Sequence, residues 1–101
     1  HGRKPMAVGT GASTAEAVAT LRRCGIDAFF DAVVGADQVR NPKPAPDTFL
    51  RCAQLLGVRP EACVVFEDAP MGLAAAVSAG MAAVDVLHVH GIHNDYFLSE
   101  R

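Results

Sequence analysis

Three short segments of the sequence carry side chains that could bind a phosphate group and a metal ion. Thr10 and Gly11 offer a hydroxyl and a flexible amide, Lys43 is flanked by prolines, and Glu67 and Asp68 are adjacent carboxylates. Mg²⁺ prefers carboxylate and phosphate oxygens, lysine neutralises phosphate charge, and hydroxyl or amide donors hold phosphate oxygens. Each feature alone has a simpler explanation as a turn, a solvated charge or a helix-capping acid. Their meaning depends on whether the fold brings them together.

The segments that carry these side chains follow short apolar runs typical of buried strands. The runs at residues 6–9, 29–34, 63–66 and 82–87 predict four strands, with helical spacing of apolar residues in the stretches between them. Ser13 and Glu16 have the spacing of a capping box, and Gly25 and Gly57 are placed to end the first two helices. One face of the second helix is apolar: Phe49, Cys52, Ala53 and Leu56.

Strands that alternate with helices of about ten residues indicate right-handed βαβ units and a parallel sheet covered on both faces. Ligands of such sheets bind beyond the carboxyl ends of the strands. Thr10 follows the first strand, Lys43 lies in the loop after the second, and Glu67 and Asp68 follow the third. We therefore predict that these four side chains lie at one edge of the sheet.

The same segments, read as longer strings, resemble a known family. Residues 8–11, 41–49 and 64–72, with the alanines and Gly80 that follow, are similar to the second, third and fourth motifs of the haloacid dehalogenase-like hydrolases, in order and at ordinary spacing. The resemblance covers residues 6–87 and is closest to the branch of sugar-phosphate phosphatases and β-phosphoglucomutases. Within it, residues 63–80 and 83–86 are most similar to fructose-1-phosphate and 6-phosphogluconate phosphatases. We expect residues 1–87 to be the C-terminal part of a hydrolase core and residues 88–101 to be a tail outside it.

The resemblance implies a fold, a reaction and a set of roles. The fold is α/β, a partial doubly wound, Rossmann-like parallel sheet with helices on both faces. The reaction is Mg²⁺-dependent hydrolysis of small sugar phosphates. Thr10 and Lys43 are the implied catalytic residues and, with the Gly11 amide, bind the substrate phosphate. Asp68 is the implied metal ligand, Glu67 is a second ligand or one that acts through water, and Gly72 lets the following helix pack closely so that its first amides orient Asp68.

Two parts of the family pattern are missing from this sequence. The first family motif, Asp-x-Asp, supplies the aspartate that becomes an aspartyl-phosphate, and this string does not occur here. The cap that selects the sugar phosphate lies between the first and second motifs, so it is missing too. The missing strand is the central one, flanked in the family by the first and third strands of this chain. We therefore expect either a seam between those strands or two unsatisfied strand edges, and we interpret the chain as a fragment that is inactive on its own.

Three other interpretations stay open at this point. A non-catalytic α/β module could bind phosphate or a partner through the seam. A phosphoglucomutase-like phosphoryl transfer differs from hydrolysis largely in the missing regions. A receiver domain has a similar sheet, but it also needs a phosphorylated aspartate at the end of a strand. This interpretation is disfavoured because no strand here ends in an aspartate other than Asp68.

Composition narrows the class of protein and of partner. The 101 residues are 50% hydrophobic and 20% charged with a net charge of -2, which favours one small globular unit and gives no basic field for nucleic acid. No apolar run approaches the ~20 residues of a membrane span, and the first residues lack a secretory signal, so we expect a cytoplasmic protein. Oligomeric state stays open.

The remaining residues that could carry chemistry are interpreted as structural. The cysteines lack metal-site spacing and are predicted to be reduced and buried. The histidines near the C-terminus are interpreted as solvent-facing rather than as metal ligands, and three further aspartates as turn and cap residues. These residues are Cys24, Cys52, Cys63, His88, His90, His93, Asp31, Asp37 and Asp47.

Overall fold

The elements of the protein alternate along the chain in the order that the sequence predicts. The computed structural model describes residues 4–89. Its strands are β1 (Ala7–Gly9), β2 (Ala32–Val34), β3 (Val64–Glu67) and β4 (Ala82–Asp85). Its α-helices are α1 (Thr14–Arg23), α2 (Asp47–Leu56), α3 (Pro70–Ser78) and α4 (Val86–Val89), and short 3₁₀ turns cover Asp27–Phe29, Ala36–Gln38 and Pro60–Ala62. The α/β class is therefore confirmed.

The strands form two separate parallel pairs rather than one sheet. Strand β1 pairs with β2, with Ala7 opposite Ala32, and β3 pairs with β4, with Val64 opposite Ala82. Within residues 4–89 no ladder of hydrogen bonds joins β1 to β3. We call the boundary between β1 and β3 the seam. It lies between the two strands for which the sequence predicts one.

Helix α1 begins and ends at the residues that the sequence indicates. The Ser13 hydroxyl accepts a hydrogen bond from the Glu16 amide, and the Glu16 carboxylate accepts one from the Ser13 amide, each at 3.1 Å, which completes the capping box. Gly25, with φ of 73°, follows the last turn in the left-handed conformation that glycine adopts at low cost. Asp37 also binds this helix, because its Oδ1 atom accepts the Thr14 amide at 2.6 Å.

The core lies between α2, α3 and the inner face of β3. Phe49 and Ala53 of α2 pack there with Val65 and with small residues of α3, and Cys52 on the same face of α2 is buried as well. The other face of β3 is bare, since Val64 is 55% exposed and Phe66 is 70% exposed. Within the described residues, this face of β3 is therefore left exposed.

The predicted end of the fourth strand was wrong. Strand β4 ends at Asp85 rather than at Leu87, because the Asp85 carboxylate accepts the Leu87 amide at 3.1 Å and the chain turns into α4. His88 therefore belongs to the short helix α4 rather than to an irregular tail. His90 and His93 lie outside the described residues.

The prediction for the cysteines holds only in part. All three are free thiols, and Cys52 is buried, but Cys63 is half-buried and Cys24 is exposed. Cys24 occupies the C-cap of α1, where the chain leaves the packed face of the helix. None of the helices within residues 4–89 is long and apolar enough to cross a bilayer.

Candidate functional site

Lys43 lies at the centre of the candidate site. Its Nζ atom donates to the Gly9 carbonyl oxygen at 3.3 Å and to Glu67 Oε2 at 3.2 Å. The Lys43 and Glu67 side chains are only 19% and 14% exposed. Gly9 ends β1 and Glu67 ends β3, so the lysine spans the seam at the carboxyl ends of the two strands.

The approach of α2 to β1 brings the Lys43 loop to this position. Gly9 has no side chain, and a Cβ atom there would lie 2.8 Å from Thr48 Cγ2, so the start of α2 packs directly on the end of β1. The loop before α2 is fixed by Asp47, whose Oδ2 accepts the Asn41 amide at 3.2 Å. The Lys43-Pro44 peptide is cis.

Glu67 is held in place by its own loop as well as by Lys43. Its Oε1 atom accepts the amides of Asp68 at 3.1 Å and Ala69 at 3.3 Å. On α3, a Cβ atom at Gly72 would overlap the Glu67 carboxylate, so the absence of a side chain there makes room for it. The missing side chain at Gly72 thus lets α3 pack against Glu67, and the loop amides of Asp68 and Ala69 donate to the Glu67 carboxylate.

Electrostatics keep Glu67 ionised at neutral pH. Burial raises the pKa of its carboxyl, but the hydrogen bond and charge of Lys43 and the two loop amides lower it more, so the pKa lies below its ordinary value. The pair is thus a lysine ammonium compensated by one carboxylate. Asp68, the next residue, is exposed beside it.

Thr10 and Gly11 continue from the Gly9 carbonyl that Lys43 binds. The Thr10 amide donates to the Val34 carbonyl oxygen at 2.9 Å, and its hydroxyl accepts the Ala12 amide at 3.1 Å. Gly11 is exposed, with open space where a side chain would be. Thr10 also lines an open groove of about 360 Å³ between β1 and α1, whereas a larger hollow of about 630 Å³ beside α2 includes none of the predicted site residues.

The structure thus brings Lys43 and Glu67 into contact. Thr10 follows Gly9 and Asp68 follows Glu67, so each lies one residue beyond a hydrogen-bond partner of Lys43. The sequence did not indicate the Gly9 carbonyl as a partner of Lys43, because any backbone carbonyl can accept such a bond. It also gave no sign that Phe49 lies under the ammonium, although Phe49 is part of the string similar to the family's third motif.

The carboxylate oxygens of Glu67 and Asp68 are of the chemical type that Mg²⁺ prefers. Within residues 4–89 no group of three or more histidine, cysteine or acidic side chains could hold a metal. Mg²⁺ commonly binds one or two protein carboxylates and completes its shell with water and substrate phosphate. Asp68 is exposed to solvent, and Glu67 Oε2 pairs with Lys43.

Comparison with known proteins shows the family. A model of the haloacid dehalogenase-like hydrolases matches residues 1–80. The chain is 63% identical over 86 residues to the fructose-1-phosphate phosphatase YqaB of Escherichia coli (strain K12), which covers 85% of this chain and 46% of that protein. It is 42% identical over 79 residues to the beta-phosphoglucomutase of Bacillus subtilis (strain 168), covering 78% of this chain and 35% of that one.

A solved structure has the same fold. A haloacid dehalogenase-superfamily hydrolase of subfamily IA from Geobacter sulfurreducens superposes with a TM-score of 0.74 at 30% identity, over 81% of this chain and 42% of that one. The chain therefore spans less than half the length of these relatives and covers only part of their fold. The match excludes the receiver-domain interpretation. The chain belongs to the haloacid dehalogenase-like hydrolase family.

Proposed function

We propose that this chain is the C-terminal part of the catalytic domain of a magnesium-dependent phosphatase that acts on small sugar phosphates. The observation that carries the proposal is the position of Lys43, which binds the ends of β1 and β3 on either side of the seam. A nucleophilic aspartate on a strand in the seam would lie beside this ammonium. Polypeptide outside the chain supplies that aspartate and the cap.

Each site residue has a role in this proposal. The aspartate oxygen bonds to phosphorus as the bond from phosphorus to the sugar oxygen breaks, and water then hydrolyses the aspartyl-phosphate. Lys43 neutralises the phosphoryl charge, while the Thr10 hydroxyl and the Gly11 amide donate to its oxygens. Asp68, with Glu67 directly or through water, would hold Mg²⁺, which supplies further neutralisation of phosphate charge. The substrate is a small molecule in the cytoplasm, and neither nucleic acid nor membrane takes part.

Enzyme assays test this proposal directly. The 101-residue chain with Mg²⁺ should match the buffer blank on fructose 1-phosphate, 6-phosphogluconate and an aryl phosphate. A longer protein with an upstream Asp-x-Asp segment should be active and should lose activity on Lys43→Ala and Asp68→Ala. Turnover by the chain alone that disappears in those two variants would show that the nucleophile has been wrongly assigned.

A second candidate is phosphoryl transfer within a sugar phosphate, favoured by the similarity to a beta-phosphoglucomutase. In the longer protein, conversion of β-glucose 1-phosphate to glucose 6-phosphate without release of phosphate would establish it. If the longer protein neither hydrolyses nor isomerises sugar phosphates yet still binds phosphate, the non-catalytic module is the better description.

Magnesium binding by the chain should be weak. Only Glu67 and Asp68 contribute carboxylates, and Mg²⁺ retains several waters unless further ligands are present. Isothermal calorimetry should show an affinity that Asp68→Ala abolishes. Tight binding that survives this substitution would contradict the assigned ligands.

A further inference from the structure

The Lys43 ammonium has an aromatic neighbour in addition to its two hydrogen-bond partners. Its Nζ atom lies 4.8 Å from the centroid of the Phe49 ring. A cation within about 6 Å of a ring face is attracted by the negative charge density of that face. Phe49 is only 7% exposed and packs in the core with Ala53 and Val65. The ring is therefore packed into the core, and the ammonium lies against it.

We propose that Phe49 is a positioning residue of the phosphate site, which fixes the Lys43 ammonium between Gly9 and Glu67 and leaves one of its N–H bonds for an oxyanion. This inference rests on the proposed function of Lys43 as a phosphate ligand.

The number of donors on the ammonium explains why an aromatic ring suits this position. A lysine ammonium has three N–H donors and accepts no hydrogen bond. The Gly9 carbonyl and Glu67 Oε2 take two of them. A third polar anchor from the protein would take the donor that an oxyanion needs. The negative face of the Phe49 ring attracts the positive charge of the ammonium and takes none of its N–H donors.

Charge gives a second reason for a ring rather than another acid. Lys43 and Glu67 already compensate each other in a half-buried pair. A second carboxylate in the place of Phe49 would leave the group with net negative charge and would repel phosphate. A neutral ring holds the cation and leaves the charge of the site unchanged.

A lysine spectrum tests the geometry directly. The chain contains two lysines, Lys4 and Lys43, so Lys4, which is exposed, is an internal reference. With ¹³C-labelled lysine, the ε-methylene protons of Lys43 should be shifted by the ring current of Phe49. Phe49→Leu should move this signal toward that of Lys4, and Phe49→Tyr should preserve the shift. Coincident Lys4 and Lys43 signals in the folded wild-type chain would overturn the proposal.

Fluorination of the ring separates positioning from packing. Stepwise fluorination of Phe49 weakens the negative ring face with little change of volume, so thermal unfolding should change little. The affinity of the chain for inorganic phosphate, measured by NMR titration, should fall several-fold across the series. The same series at Phe66, which is 70% exposed, is the matched control and should leave phosphate affinity unchanged.

Lys43→Met separates the role of Lys43 from that of Phe49. If it leaves phosphate affinity unchanged, the assignment of Lys43 as a phosphate ligand fails, whatever Phe49 does. If it abolishes phosphate binding while fluorination of Phe49 alters neither the lysine shift nor the affinity, only the role of Phe49 is overturned. The fluorinated variants keep this test available even where Phe49→Leu does not fold.

Discussion

Glu67 is a carboxylate that stays charged in a half-buried position because its partners outweigh its burial. Its pKa in the folded chain lies below the ordinary value of 4.5. The unfolded chain therefore binds a proton at a higher pH than the folded chain does. The stability that Glu67 contributes is fully present above about pH 4.5 and is lost as the pH falls through the folded-state pKa.

We predict that Glu67→Gln removes this pH dependence. At neutral pH the variant should lose about 1–3 kcal/mol of unfolding free energy, because Lys43 loses its charged partner. Below pH 4.5 the wild-type chain should lose stability more steeply than the variant, so the two curves should converge. Urea unfolding at a series of pH values measures this, with Glu61→Gln, at an exposed glutamate, as control. Parallel curves for wild type and Glu67→Gln would contradict the assigned pairing.

Gly72→Ala should act on Glu67 from the neighbouring helix. Alanine in place of glycine inside a helix normally adds about 0.5–1 kcal/mol of stability. Here the new methyl group would occupy the space of the Glu67 carboxylate, which must move away from Lys43. We expect no gain in stability and a rise in the Glu67 pKa toward its ordinary value, followed by ¹³C NMR of the carboxyl group. Gly11→Ala, where the space is open, should leave that pKa unchanged.

The N-cap of helix α1 is a local interaction that one substitution can remove. Ser13→Ala deletes the hydroxyl that accepts the Glu16 amide. The expected loss is about 0.5–2 kcal/mol of unfolding free energy, typical of a helix N-cap. Chemical denaturation measures it, with Ser78→Ala at the exposed end of α3 as control. Equal effects of the two substitutions would argue against the capping box.

The elements that could be predicted are those fixed by local chemistry. The capping box at Ser13 and the glycines after α1 and α2 depend on neighbours within a few residues. The strands are short apolar runs next to turn residues, whereas the longer stretches between them have the apolar spacing of helices. The end of β4 at Asp85 and the exposure of Cys24 were missed, since they depend on a side chain that caps a turn and on what packs against a helix end. For Lys43, the sequence predicted only a position at the same edge of the sheet as Glu67. The contacts themselves could not be predicted, because Gly9 and Glu67 lie 34 and 24 residues away along the chain.

The seam should be detectable in the whole molecule by the hydrogen-exchange rates of its backbone amides. The Thr10 amide donates to Val34, on the β2 side of β1. Successive residues of a strand point their N–H groups toward opposite edges, so the amides of Ala7 and Gly9 face the seam. We expect these two amides to exchange rapidly in the isolated chain and to become protected in a longer protein whose upstream strand fills the seam. The Thr10 amide should be protected in both. Strong protection of Ala7 and Gly9 in the isolated chain would mean that something else already covers this edge.

The division into two strand pairs also has a consequence for the order of folding. Each pair joins strands that are close in sequence, Ala7 with Ala32 and Val64 with Ala82, so each can close at a low entropic cost. Helix α2 then packs on β1 and β2 of one pair and on α3 of the other. Because the contact of Lys43 with Gly9 and Glu67 needs both halves, we expect it to form late, when the halves dock. The site would thus be a product of docking, acquired only after each half has its own local structure.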